Sequence, residues 1–75
     1  MTREEQAADY GSRYLRARSK EGLSNRQVQI RMKRLGIKKP VSHRQLQKIE
    51  KGESYPWPST RNKIALSFPE SDLKQ

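Results

Sequence analysis

The chain has 75 residues, with 17 Lys and Arg against 8 Asp and Glu, no cysteine, a single histidine and only 31% hydrophobic residues. A chain this short makes one domain with a thin core, burying about 60% of the surface its unfolded form exposes, which leaves little room for a deep catalytic cleft. Disulfides, thiolate metal sites and cysteine redox chemistry are excluded, and the lone His43 cannot build a zinc site.

Thr2 is placed to cap a first helix over residues 2–21, with Glu4 and Glu5 favouring its positive end and Tyr10, Tyr14 and Ala17 along one stripe. Gly22 ends it. Ser24 stands three residues ahead of Gln27, and Ser42 three ahead of Gln45. Each pair predicts a capping box: the serine oxygen accepts the N3 amide proton and the glutamine reaches back to the serine amide. The second helix has Leu23 as its staple residue, Val28, Met32 and Leu35 as its buried face, and Gly36 as its stop. Residues 37–41 form a connector in which Pro40 biases Lys39 toward extended backbone.

The third helix begins at Ser42 and closes at Gly52. Leu46 and Ile49 share its inner face, whereas His43, Arg44, Gln47, Lys48 and Lys51 point elsewhere. Residues 53–58 form a loop stiffened by Pro56 and Pro58 around Trp57, which is expected to plug the core rather than serve as a stacking platform. Ser59 or Thr60 then caps a fourth helix with Ile64, Ala65 and Phe68 inward and Pro69 at its end. The expected ordered core is about 10–68, and residues 70–75 read as a short polar tail.

Charge is unevenly spread. Residues 13–63 hold fifteen of the seventeen Lys and Arg but only three carboxylates, Glu21, Glu50 and Glu53. So basic a surface favours polyanions through counterion release, nucleic acid above all. A membrane-surface helix would need a broad Trp, Phe or Leu face opposite its charges, and no segment offers one. No apolar run reaches the length of a signal-peptide core or a membrane span, so the expected location is the cytoplasm. With no histidine–acid pair, glycine-rich phosphate loop or metal cluster, the chain is not expected to be an enzyme, to use a cofactor or to take a small-molecule substrate.

In order of parts, residues 11–68 resemble the Cro/repressor-type, or Xre-like, helix-turn-helix family. Gly11, Tyr14, Ala17 and Arg18 match its first helix, Gly22-Leu23-Ser24 its turn, and Leu46-Gln47-Lys48-Ile49-Glu50-Lys51-Gly52 the end of its recognition helix. A further resemblance links Tyr55-Pro56-Trp57-Pro58-Ser59-Thr60-Arg61 to a Trp-Pro loop in regulators from actinobacteria and their phages. The resemblance implies an all-α fold over residues 1–75, a small bundle of four to five helices of lambda-repressor-like type. It implies a sequence-specific double-stranded DNA-binding regulator, of the phage immunity repressor or Cro-like kind, acting by occluding a promoter in a bacterial or phage-infected cell. From Val28 to Leu46 the spacing is about seven residues longer than usual, so an extended second helix and linker replace the compact turn. The family's frequent fifth helix, often used for dimerisation, is missing, so the expected binding is as a monomer, or as a homodimer on DNA whose partner surface lies in a region outside this sequence.

The resemblance also implies roles. The third helix enters the major groove, with His43, Arg44, Gln45 and Gln47 reading base edges; Arg44 suits guanine, and Gln45 or Gln47 suits adenine. Asn25 and Arg26, at the amino end of the second helix, suit a phosphate, as do Lys38, Lys39, Ser42, Lys48, Lys51, Ser54, Tyr55 and Arg61. Arg31, Lys33 and Arg34 extend this basic stretch, either to neighbouring phosphates or as a minor-groove arm. Arg18 and Glu50 form a structural ion pair orienting the recognition helix. Two other readings stand beside this one. The first is an antitoxin-like or accessory module that grips another protein, for which the sequence shows little surplus apolar surface. The second is a nonspecific nucleic-acid binder; single-strand binding would interleave aromatics with the basic residues, and none lies between Gln27 and Leu46.

Overall fold

A computed structural model describes residues 2–71 and 73, in which four helices and no strands occur: α1 (Arg3–Lys20), α2 (Asn25–Arg34), α3 (His43–Glu50) and α4 (Pro58–Ser67). The small all-helical fold expected from the hydrophobic spacing is present, and its boundaries follow from local chemistry. Thr2 and Ser24 each close a full capping box, with Glu5 and Gln27 respectively. Ser42 accepts the Gln45 amide at 3.3 Å, yet the Gln45 side chain does not return to the Ser42 amide, so the second box expected from sequence is only half made. Three helices end alike. The amides of Gly22, Gly36 and Gly52 bond carbonyls three residues back, and the next residues, Leu23, Ile37 and Glu53, bond carbonyls five back. Each glycine has positive φ, the conformation such a terminus requires.

Tyr14, Val28, Met32, Leu46, Ile49, Ile64 and Phe68 are fully buried and draw all four helices into one core. Each such side chain contributes about 1.5–3 kcal/mol of burial. Helix α3 packs on both α1 and α2, and α2 also packs on α4. Its approach to α1 depends on Gly11: a Cβ there would lie 2.4 Å from the Ile49 carbonyl oxygen. Tyr14 is edge-on to Phe68, and Tyr10 edge-on to Tyr55 with ring centroids 5.9 Å apart.

Several expectations are corrected. Leu35 is 55% exposed rather than buried. It occupies the C-cap of α2, and Ile37, two residues past it, turns back to pack on the core in its stead. Lys39 is not extended but has φ 52, in the left-handed region. The chain reverses there so that Val41 can enter the core, its amide bonding the Met32 sulfur at 3.4 Å, and Lys63 Nζ holds the Lys39 carbonyl at 3.0 Å. Such a conformation costs a non-glycine residue on the order of 1 kcal/mol. The fourth helix is not capped by Ser59 or Thr60. Trp57 is its N-cap residue, makes no side-chain cap bond, and is followed by Pro58 at the first helical position, where a missing amide proton costs nothing.

Trp57 itself is 79% exposed. The space it was expected to fill is taken by its neighbours, Pro56, which is buried, and Tyr55, packed on Tyr10. Order also extends beyond residues 10–68. Helix α1 starts at Arg3 with Ala7 buried, and Leu73, assigned to a polar tail, is 3% exposed within the core. Ser71 turns the chain back, donating to the Phe68 carbonyl and accepting the Leu73 amide. The rest of that expected tail, residues 72, 74 and 75, lies outside the described residues. No described helix is long and apolar enough to cross a membrane.

Candidate nucleic-acid interface

The residues of α3 divide cleanly. Leu46 and Ile49 are buried, while Ser42, Arg44, Gln47, Lys48 and Lys51 face solvent and His43 and Gln45 are half-buried at its start. The polar flank is therefore open along the whole helix. Because Gln45 is not drawn back to the Ser42 amide, its carboxamide stays free of the cap.

Both ends of α3 are fixed. At the amino end, Gln29 Oε1 accepts the His43 backbone amide at 3.1 Å and lies 3.4 Å from the ring Nδ1. An Nδ1–H tautomer turns the second contact into a hydrogen bond and leaves Nε2 as the ring's acceptor. At the carboxyl end, Glu50 pairs with Arg18 of α1, whose other terminal nitrogen donates to the Leu23 carbonyl at 2.7 Å. One arginine thus ties α3, α1 and the α1–α2 turn together, as the pair read from the sequence requires.

The remaining residues expected at a phosphate backbone fall into two groups. Arg26, in the first turn of α2, and Lys38 and Lys39, in the linker that leads into α3, are exposed and among the described residues without an ion-pair partner. Asn25, Tyr55 and Arg61 are instead engaged within the molecule. Asn25 Oδ1 accepts the Tyr14 hydroxyl at 2.7 Å, which locks the amino end of α2 to α1 and leaves the amide nitrogen of Asn25 as its outward donor. Arg61 lies over the Tyr55 ring, 4.7 Å from its centroid, and donates to the Tyr55 hydroxyl at 2.6 Å. Ser54 is half-buried beside them. Arg31 is likewise committed: it pairs with Glu21 at 2.7 Å, donates to the Ser67 carbonyl at 3.2 Å and covers the Phe68 ring. It braces α2 against α4 rather than joining the basic arm, whereas Lys33 and Arg34 stay exposed.

Sequence reasoning missed Gln29 and Lys63. Gln29 adjoins Val28 on the edge of the buried stripe of α2, a position from which a polar side chain reaches the next helix, and that was the signal available. Lys63 gave none, because its partner is a backbone carbonyl placed by the unexpected turn at Lys39. Burial raises the Tyr14 phenol well above its ordinary range and pushes Tyr10 up to about 12, so both stay neutral, Tyr14 as the donor to Asn25.

Among the described residues no three His, Cys, Asp or Glu side chains gather as metal ligands would. Comparison of the chain with protein-family models, with curated proteins and with solved structures gave no match, so any functional reading rests on its own residues and geometry.

Proposed function

We propose that the chain is a sequence-specific double-stranded DNA-binding regulator of the Cro/repressor type, in which α2, the linker 35–42 and α3 act as a lengthened helix-turn-helix. The observation that carries this reading is the open flank of α3. Arg44, Gln47 and Lys48 are exposed on a helix whose opposite side is core and whose two ends are held by Gln29 and Arg18. A rigid, basic, polar-faced helix suits the major groove, where Arg44 and Gln47 discriminate bases by about 1–3 kcal/mol for each bidentate contact. Arg26, Lys38, Lys39, Lys48 and Lys51 supply sequence-independent attraction and fix the register. Such a protein represses by occupancy, and the cytoplasm of a bacterium or phage-infected cell is its place of action.

Selection from a random duplex library, followed by mobility shifts at several salt concentrations, tests this. An enriched motif bound more tightly than random duplex at every salt concentration is the expected result. Enrichment of nothing, with affinity depending on salt alone, would reduce the protein to a nonspecific polyanion binder.

A second reading, an accessory module that grips another protein, gains support from a surface richer in apolar groups than the sequence suggested. Leu15, Ile30, Leu35, Trp57 and Leu66 are each at least 40% exposed.

A further inference from the structure

Trp57 is the only tryptophan of the chain and, among the described residues, the most exposed large apolar side chain. Prolines on both sides hold it at the amino end of α4, so its exposure is built into the backbone. It forms one wall of a cleft of about 390 Å³ between the start of α1 and the α3–α4 loop, floored by Ala7, Gly52 and Pro56 and bordered by Tyr55. The rim carries two carboxylates, Glu4 and Glu53, against one guanidinium, Arg3. Neither carboxylate has an ion-pair partner among the described residues, although the molecule as a whole carries a net charge of +9. Its lining is aromatic and carries one net negative charge on a basic protein, although Arg61 lies over the Tyr55 ring. Those carboxylates favour an apolar group accompanied by Lys or Arg over a phosphate, and the exposed indole face offers a cation–π contact.

The protein carries a complementary feature on its own surface. Leu35 protrudes, 55% exposed, from the carboxyl corner of α2, with Lys33 and Arg34 before it and Lys38 after it. All three cations are exposed, and among the described residues none is in an ion pair. Leu35 is more exposed than Leu15 and Ile30, and Leu66, as exposed as Leu35, follows Ile64 and Ala65 and precedes Ser67, with no cation adjacent in sequence.

We propose that the Trp57 cleft is a self-association site that receives Leu35 and its flanking cations from a second copy of this chain. The contact joins two different patches, so it is small and weak in free solution. On a polyanion that gathers several copies, the raised local concentration strengthens it. The proposal needs no particular nucleic-acid sequence, and its test is independent of the DNA reading.

The lone tryptophan is its own reporter. Emission of the wild-type chain, without nucleic acid, should shift to shorter wavelength as protein concentration rises and Trp57 becomes covered. Two variants separate the halves of the contact: Leu35→Asp keeps the cleft and the reporter but loses the knob, and Trp57→Phe keeps the knob but is silent. Both positions are exposed, so folding should survive, as circular dichroism would verify. Neither variant alone should give a concentration-dependent shift of tryptophan emission, whereas adding Trp57→Phe to Leu35→Asp should restore the blue shift. Failure of the mixture to shift emission overturns the proposal. So does a shift on adding duplex to Leu35→Asp alone as large as that of the wild type, which would place Trp57 against the nucleic acid instead.

Discussion

Gln29 holds the first residue of α3 from the neighbouring helix, its side-chain oxygen 3.1 Å from the His43 amide and 3.4 Å from the imidazole Nδ1. The amides of a helix's first turn have no intrahelical acceptor, so this bond satisfies a donor that Ser42, whose oxygen bonds Gln45, does not reach. Gln29→Ala should cost about 0.5–1.5 kcal/mol of stability, the net worth of one such bond. Under the DNA reading it should also blur selectivity at the base nearest His43, because the ring loses its fixed orientation. Selection on the variant checks this, and an unchanged motif would show that Gln29 serves stability alone.

Gly11→Ala sets two effects of known size against each other. Alanine gains about 1 kcal/mol in helix propensity, whereas its Cβ would stand 2.4 Å from a backbone carbonyl that only a shift of α3 can move away. Overpacking of this kind costs about 1–3 kcal/mol, and a clash with backbone lies at the upper end. The expected outcome is a net loss in denaturant unfolding, while Ser12→Ala, one residue away on the exposed face, stays neutral or gains slightly.

Glu50→Ala removes the carboxylate that faces Arg18. The guanidinium retains only its bond to the Leu23 carbonyl, in a partly buried setting where its Nε already lacks a partner. A drop of about 1.5–3 kcal/mol is expected, the range for hydrogen bonds to charged groups. Melting should fall without any change of base preference, and the reverse pattern would move Glu50 from scaffold to reading surface.

The helices were legible because their signals are local: Thr2 and Ser24 at caps, glycines at three ends, and apolar residues at helical spacing through Tyr14, Val28, Leu46 and Ile64. The Arg18–Glu50 pair was legible through resemblance. What escaped depends on where the chain goes after a helix stops. Leu35 fits the periodicity of α2, yet lies past the last turn, and periodicity carries no information there. Trp57 and Pro56 look equally apt for burial, and which one enters is decided by the backbone between two prolines. Leu73 was hidden because one apolar residue among polar ones reads as tail until Ser71 turns it inward. Among the candidate site residues, exposure along α3 followed from helical geometry, but the commitment of Arg31 to Glu21 and of Arg61 to Tyr55 arises from tertiary packing.

Alkaline pH offers a test of the tyrosine contacts. Burial lifts the Tyr10 phenol from 10 to about 12 and moves Tyr14 further in the same direction. In the unfolded chain both ionise near pH 10, while the folded protein keeps them protonated. Their contribution is therefore fully present below pH 10 and is lost as pH rises through the folded values. Stability should fall steeply from about pH 10 upward. Phenolate absorbance from Tyr10 and Tyr14 should appear together with loss of helix. Ionisation of Tyr10 and Tyr14 near pH 10 with the helices intact would contradict this packing.

Arg44 and Lys39 separate the two kinds of contact on which a DNA-reading surface depends. Arg44 is exposed on the first turn of α3, where a guanidinium can address a guanine edge, and Lys39 is exposed on the linker, held by the turn that Lys63 secures. If Arg44 reads a base, Arg44→Ala lowers affinity for the selected duplex by about 1–3 kcal/mol and relaxes preference at one position, with little effect on random duplex. If Lys39 meets a phosphate, Lys39→Ala weakens every duplex alike and lowers the salt slope by about one unit. Mobility shifts on selected and random duplex across a salt series measure both at once. Equal losses on the two duplexes for Arg44→Ala would remove that residue from the reading set, since a charge that attracts all sequences alike is acting on the backbone and carries no information about bases.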